Sequence, residues 1–132
     1  LVEEHIKKQD IVITTALIPG RPAPKLVSEA MVRSMNPGSV IVDLAVESGG
    51  NCALAKAGEI VDIDGVTIVG HKNVPSRLAT NATALYAKNL LNLLMLFVKD
   101  GAMQINWDDD IIKAIALTRG GQIVHPNFAG KG

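Results

Sequence analysis

The apolar positions of the chain fall into two kinds of run. Ile11-Val12-Ile13 and Ser39 to Val46 (SVIVDLAV) are apolar at consecutive positions instead of alternating. Runs of this kind predict strands of a parallel sheet covered on both faces, spanning Asp10 to Leu17 and Ser39 to Val46. Between them Met31, Val32 and Met35 form a stripe at helical spacing. Ser28 stands where an N-cap is needed, Val27 and Val32 are placed for a hydrophobic staple, and Asn36-Pro37-Gly38 supplies the stop. Strand, crossover helix and strand make a βαβ unit, right-handed by the general rule. Upstream, Leu1, Val2, His5 and Ile6 share one face of a helix that ends near residue 9. Downstream, Glu59 to Ile63 and Val66 to Gly70 read as two β runs around an Asp64-Gly65 hairpin turn. From Thr80 to Lys99 the apolar spacing is again helical. The second half of that helix is apolar nearly all round, which predicts contact on two sides, as at a domain or subunit junction. Residues 103–126 read as short strands, with Ile115 to Thr118 and Gln122 to Val124 flanking Arg119-Gly120-Gly121.

This order is α/β. It resembles the second half of a Rossmann-like, doubly wound parallel sheet, followed by a long inter-domain helix and a short β tail. Residues 1–78 are expected to form that half-domain. Residues 79–132 are expected to belong to, or pack on, a missing amino-terminal domain. Dinucleotide folds bind beyond the carboxyl ends of their strands. Three loops leave such ends here: 15–24, 46–51 and 71–77. All are punctuated by Gly or Pro. The first, TTALIPGRPAP, holds three prolines and a glycine within six residues. It reads as small, neutral and stiff, with no acid, base or metal ligand. No GxGxxG occurs in the chain. The pyrophosphate cradle and the acid for the adenosine ribose belong to the first half of such a fold. The chain therefore carries half a site: either it is a fragment, which a first residue of Leu and not Met fits, or its other half comes from another polypeptide.

Composition narrows the classes. The 132 residues are 48% hydrophobic, enough for a real core. Lys plus Arg equals Asp plus Glu at 13 each, so no basic surplus invites nucleic acid or anionic lipid. Phe97, Phe128, Tyr86 and Trp107 are too few for a base-stacking platform. The longest apolar run, Leu93 to Val98, falls short of the about 20 residues of a membrane span, and the first residues lack the pattern of a signal peptide. Cys52 is the single cysteine and reads as a packed side chain; no internal disulfide is possible. His5, His71 and His125 lack ligand spacing, and Asp108-Asp109-Asp110 reads as a solvated turn, so no metal site is expected.

Three blocks carry a family resemblance: ITTALIPGRPAPKLV, GSVIVDLAVESGGN and GHKNVPSRLATNATALYAKNLLN, followed by the tail LTRGGQIVHP. In this order they resemble the alpha subunit of proton-translocating NAD(P) transhydrogenase, in the carboxyl-terminal part of its NAD(H)-binding domain I. Alanine dehydrogenase is the related rival. Its DxAxDxGG stretch is matched here by Asp43-Leu44-Ala45-Val46-Glu47-Ser48-Gly49-Gly50, with Glu where the rival has Asp. The wording of the first and third loops lies closer to transhydrogenase.

The resemblance implies an oxidoreductase component that binds NAD(H). It implies hydride exchange with NADP(H) held on a partner domain, coupled to proton translocation by a membrane domain. The assembly would be a homodimer, cytoplasmic and peripheral on the inner face of a bacterial inner membrane. The segment alone is expected to be inactive. Thr15, Ala16 and Leu17 match positions beside the nicotinamide half of the coenzyme, with Pro19 and Gly20 shaping the turn. Asp43 and Glu47 either orient groups near the ring or accept hydrogen bonds from backbone amides. Asn73, followed by Val74, either donates to the carboxamide or ribose or organises its own loop. Arg77 meets a phosphate, a partner domain or a carboxylate of its own fold. No residue is expected to act as acid, base or nucleophile, because hydride transfer between two nicotinamide rings asks the protein for proximity and exclusion of water. Two further readings stay open: an alanine-dehydrogenase-like fragment, and a non-catalytic interaction fragment docking through the leucine-rich helix.

Overall fold

A computed structural model describes residues 2–129. The chain divides into two compact units, Leu1–Leu78 and Ala79–Gly132. Leu1, assigned above to the face of the first helix, lies outside the described residues.

The first unit opens with helix α1 (Val2–Ile6), strand β1 (Ile11–Thr14), helix α2 (Glu29–Arg33) and strand β2 (Val40–Asp43). A 3-10 turn at Val46–Ser48 precedes β3 (Ile60–Ile63), β4 (Val66–Val69) and a short helix α3 (Val74–Arg77). The sheet runs β1-β2-β4-β3. The β1–β2 and β2–β4 pairs are parallel, and β3 is an antiparallel edge strand. The α/β class with a parallel sheet is as expected. Asp64 (φ 54) and Gly65 (φ 83) close the β3–β4 hairpin, both left-handed as a two-residue type I′ turn requires. Ser28 caps α2 in extended conformation, and its hydroxyl accepts from the Met31 amide at 3.2 Å.

Register sets the core. Val12, Ile41, Ile68 and Val61 lie side by side across the sheet. They face Ile6, Val27, Met31, Val32 and Met35 in one cluster, in which Ile41, Ile68 and Val32 are fully buried. Each such side chain contributes roughly 1.5–3 kcal/mol relative to exposure. The alternate row behaves differently: Ile11 and Ile13 are 66% and 62% exposed. Within this unit the covering layer lies on one face of the sheet only.

Strand ends also differ from the pattern reading, for local reasons. β1 stops at Thr14 and not at Leu17, because the main chain of Ala16 bonds to the side chain of Asn51. β2 stops at Asp43 because that carboxylate accepts from the Ala45 amide two residues on. Residues 74–77 are a helical turn where a loop was expected; Pro75 is tolerated there since first-turn amides lack intrahelical partners anyway.

The second unit holds helix α4 (Ala79–Met95), hairpin β5–β6 (Val98–Lys99 and Ala102–Met103), helix α5 (Asp110–Ile115) and hairpin β7–β8 (Thr118–Arg119 and Gln122–Ile123). The expected helix to Lys99 ends four residues early, and Val98–Lys99 instead pair with Ala102–Met103 in a hairpin closed by Asp100-Gly101, both at positive φ. The all-strand reading of residues 103–126 is corrected by α5. Asp109 caps that helix, accepting from the Ile111 and Ile112 amides at 2.8 and 3.2 Å, so the acidic triplet is a helix start. No residue of α4 is buried.

Candidate functional site

Parallel pairing puts the carboxyl ends of β1, β2 and β4 at one rim, with Thr14 level with Asp43 and Val42 level with Val69. The loops 15–24, 44–51 and 70–73 therefore leave together. They are also tied to one another. The Ala23 amide donates to the Ser48 carbonyl at 2.7 Å. Lys25 Nζ donates to the Gly49 carbonyl. Glu47 Oε2 accepts from the Asn73 amide at 2.9 Å, joining the second loop to the third. Asn73 itself sits in the left-handed region (φ 46), which Asn tolerates better than most residues.

Beneath the rim lies a buried polar pair that holds the second loop. Asp43 is fully buried and accepts from the Ala45 amide at 3.0 Å and the Cys52 amide at 2.9 Å. A Cβ on Gly50 would stand 2.7 Å from Asp43 Oδ2, at a φ of +77, so glycine is required there on both counts. Asn51 is equally buried and bonds through its carboxamide to Ala16 and Pro24. Pattern reading takes Asn51 only as part of a glycine-rich turn. Its place directly after Gly49-Gly50, in the loop that leaves a buried strand, is the one signal the sequence offers.

Above this floor is an open cleft of about 730 Å³, lined by Leu17 to Pro22 and by Ser48 and Gly49. Of the expected site residues, Leu17, Pro19 and Gly20 line it directly. Thr15 and Ala16 precede them at the loop base. Asp43 lies below, bonded to backbone amides. Glu47 and Asn73 form the adjoining loop contact and Val74 opens α3 beside it; none of the three lines the cleft. The reading of the first loop as neutral is corrected: Arg21, part of that loop and absent from the expected site, also lines the cleft. Arg77 meets His71 Nδ1 at 3.2 Å instead of the carboxylate expected as one of its partners. Burial raises the Cys52 thiol above its ordinary pKa, which suits an unreactive packed residue. Among the described residues no cluster of His, Cys, Asp and Glu is arranged to hold a metal ion. No helix among them is long and apolar enough to cross a membrane.

A three-stranded parallel core with its loops gathered at one carboxyl rim defines this as a Rossmann-like α/β protein. The chain matches the family described as "Alanine dehydrogenase/PNT, C-terminal domain" over residues 1–126, and it belongs to that family. It is 54% identical over 133 residues to an NAD(P) transhydrogenase alpha subunit of Rhodospirillum rubrum, covering 99% of this chain and 35% of that protein. A solved structure of transhydrogenase from Sinorhizobium meliloti superposes with a TM-score of 0.76 at 56% identity, over 96% of this chain and 35% of that one. Alanine dehydrogenase of Lysinibacillus sphaericus is 34% identical over 119 residues, 85% of this chain and 32% of that protein. The resemblance drawn from the three sequence blocks is borne out, and the chain spans about a third of the length of these relatives.

Proposed function

We propose that this chain is part of the NAD(H)-binding component of a transhydrogenase. Its rim loops hold the nicotinamide end of the coenzyme. The carrying observation is the shared rim: three loops cross-linked by Ala23–Ser48 and Glu47–Asn73, the first two of which line one cleft. The higher identity to transhydrogenase than to alanine dehydrogenase, 54% against 34%, supports the first of the two family activities. The cleft fits in size and character, since small-molecule sites occupy roughly 300–1,000 Å³ and are mostly apolar with a few placed polar groups. Leu17, Pro19 and Gly20 would pack against a flat ring and keep water from it. Thr15 and Ala16 would present main chain at close range. Arg21 would meet the polar or anionic part of the ligand.

The bound coenzyme supplies a hydride from its reduced ring, so the protein needs no proton-transfer group at the reacting carbon. The chain's own task is to hold the ring at near-attack distance, about 3–3.5 Å, from an acceptor ring. In this reading the acceptor is NADP(H) on a partner domain, and membrane partners couple the exchange to proton translocation. The rest of the NAD(H) site lies on the portion of the protein absent from this chain.

Full-length protein containing this segment should bind NADH in a fluorescence titration and, with its NADP(H)-binding partner, should pass hydride between the two coenzymes. The 132-residue chain should bind weakly or not at all. Oxidation of NADH driven by pyruvate and ammonia, without any exchange with NADP(H), would replace this reading by alanine dehydrogenase.

A further inference from the structure

Asn51 makes an unusual set of bonds for a residue in a glycine-rich turn. Its Oδ1 accepts from the Ala16 amide at 2.9 Å, and its Nδ2 donates to the Ala16 carbonyl at 2.9 Å and to the Pro24 carbonyl at 2.8 Å. Its own carbonyl accepts from the Leu26 and Val27 amides at 2.8 and 3.0 Å. One side chain thus satisfies both main-chain groups of Ala16 and ties the two ends of the proline loop together. Only a carboxamide offers an acceptor and two donors in this arrangement. Reversing it would oppose donor to donor at the Ala16 amide. The residue is fully buried, so each of these groups would be costly to leave unmet.

The support continues into the sheet. Asp43, at the end of β2, holds the Cys52 amide next door at 2.9 Å. Cys52 pairs with Val27 in an isolated parallel bridge. The clamp on Ala16 is therefore anchored to a core strand and not to another loop.

We infer that Asn51 is the positioning residue of the coenzyme-facing loop: it touches no ligand but fixes Ala16, and so presets the Leu17–Pro22 wall of the cleft. A wall ordered beforehand removes the ordering cost from binding. The inference rests on the coenzyme reading above.

The test uses full-length protein and NADH. In Asn51→Asp, an ionised carboxylate faces the Ala16 and Pro24 carbonyls where two donors stood. The Kd for NADH should rise about tenfold or more at about pH 8, the loss of at least one net hydrogen bond. Protonation gives back one donor and one acceptor. Affinity should therefore recover as pH falls toward about 5, since burial lifts a carboxyl above its usual range near 4. Wild type should lack this pH-dependent recovery. Val66→Ala, in the core away from the rim, serves as a control for lost stability and should leave the Kd within about twofold. In free wild-type protein the Ala16 amide should be as protected from hydrogen exchange as the amides of β2. That measurement decides the matter if Asn51→Asp does not fold. Wild type that fails to bind NADH would overturn the coenzyme reading and this inference together. Wild type that binds, beside an Asn51→Asp variant equally tight at both pH values, would overturn this inference alone. An Ala16 amide exchanging at the rate of an open loop until NADH is added would also overturn it.

Discussion

The two units of this chain solve the burial problem to very different degrees. In Leu1–Leu78 a row of sheet residues and two short helices bury Ile41, Ile68, Val32 and Val66 almost completely. In Ala79–Gly132, Ile112 is the only hydrophobic residue among those described that is buried. Leu85, Tyr86, Leu91, Leu94 and Met95 on α4 are more than half exposed. Both units have regular secondary structure and helix caps. Capping and turn chemistry act within a few residues, whereas a core needs several elements to face one another. The second unit meets the local conditions of folding, but its own elements do not cover its apolar faces.

Core truncation should show that contrast most strongly. Ile68→Ala should cost the chain about 2–5 kcal/mol, whereas Leu90→Ala should shift stability by no more than about 0.5 kcal/mol. Denaturant unfolding followed by circular dichroism measures both. Equal losses would mean that α4 is as well buried as β4. Gly50→Ala comes next. Its Cβ meets Asp43 Oδ2 at 2.7 Å and its φ of +77 is unfavourable, so about 1–3 kcal/mol should be lost. Gly101→Ala in the second unit has similar backbone strain but open space around the added atom, and should cost less. A thermal melt of the two variants separates the steric contribution from the conformational one.

Cys52 gives the smallest effect. Burial raises its folded pKa, so the thiol stays neutral in the native state while the unfolded thiol ionises. Its contribution to stability is full below the unfolded thiol value, near 8.5, and is lost as pH rises through the folded one. The wild-type chain should lose slightly more stability than Cys52→Ala between about pH 8 and 10, and native Cys52 should resist alkylation until the unit unfolds.

How much of this is legible in the residues depends on distance along the chain. Ser28 and Met31 lie within one helical turn, and the cap is readable. Asp64-Gly65 announces its hairpin, and Asp100-Gly101 is the same kind of turn in the β5–β6 hairpin. The αβ order and the family resemblance follow from blocks of contiguous sequence. The rim is different. Asn51 and Ala16 are separated by 35 positions, and Glu47 and Asn73 by 26. No periodicity links such pairs, because nothing about either member fixes its distance to the other until the sheet is assembled. The exposure of Ile11 and Ile13 is illegible for the same reason: a run of apolar residues records that a covering layer is wanted, not which segment provides it.

Residue order alone settles several local choices, namely the Ser28 cap, the Asp64-Gly65 turn and the strand or helix spacing of the longer apolar runs. These depend on sterics and hydrogen bonds within a few residues. Assembly of the sheet adds what no local pattern holds: three loops share one rim, Asp43 and Asn51 form its buried floor, and Arg21 reaches the cleft. Parallel pairing aligns strand ends that are distant in sequence, and a buried polar side chain finds its partners only once that alignment has removed water from around it.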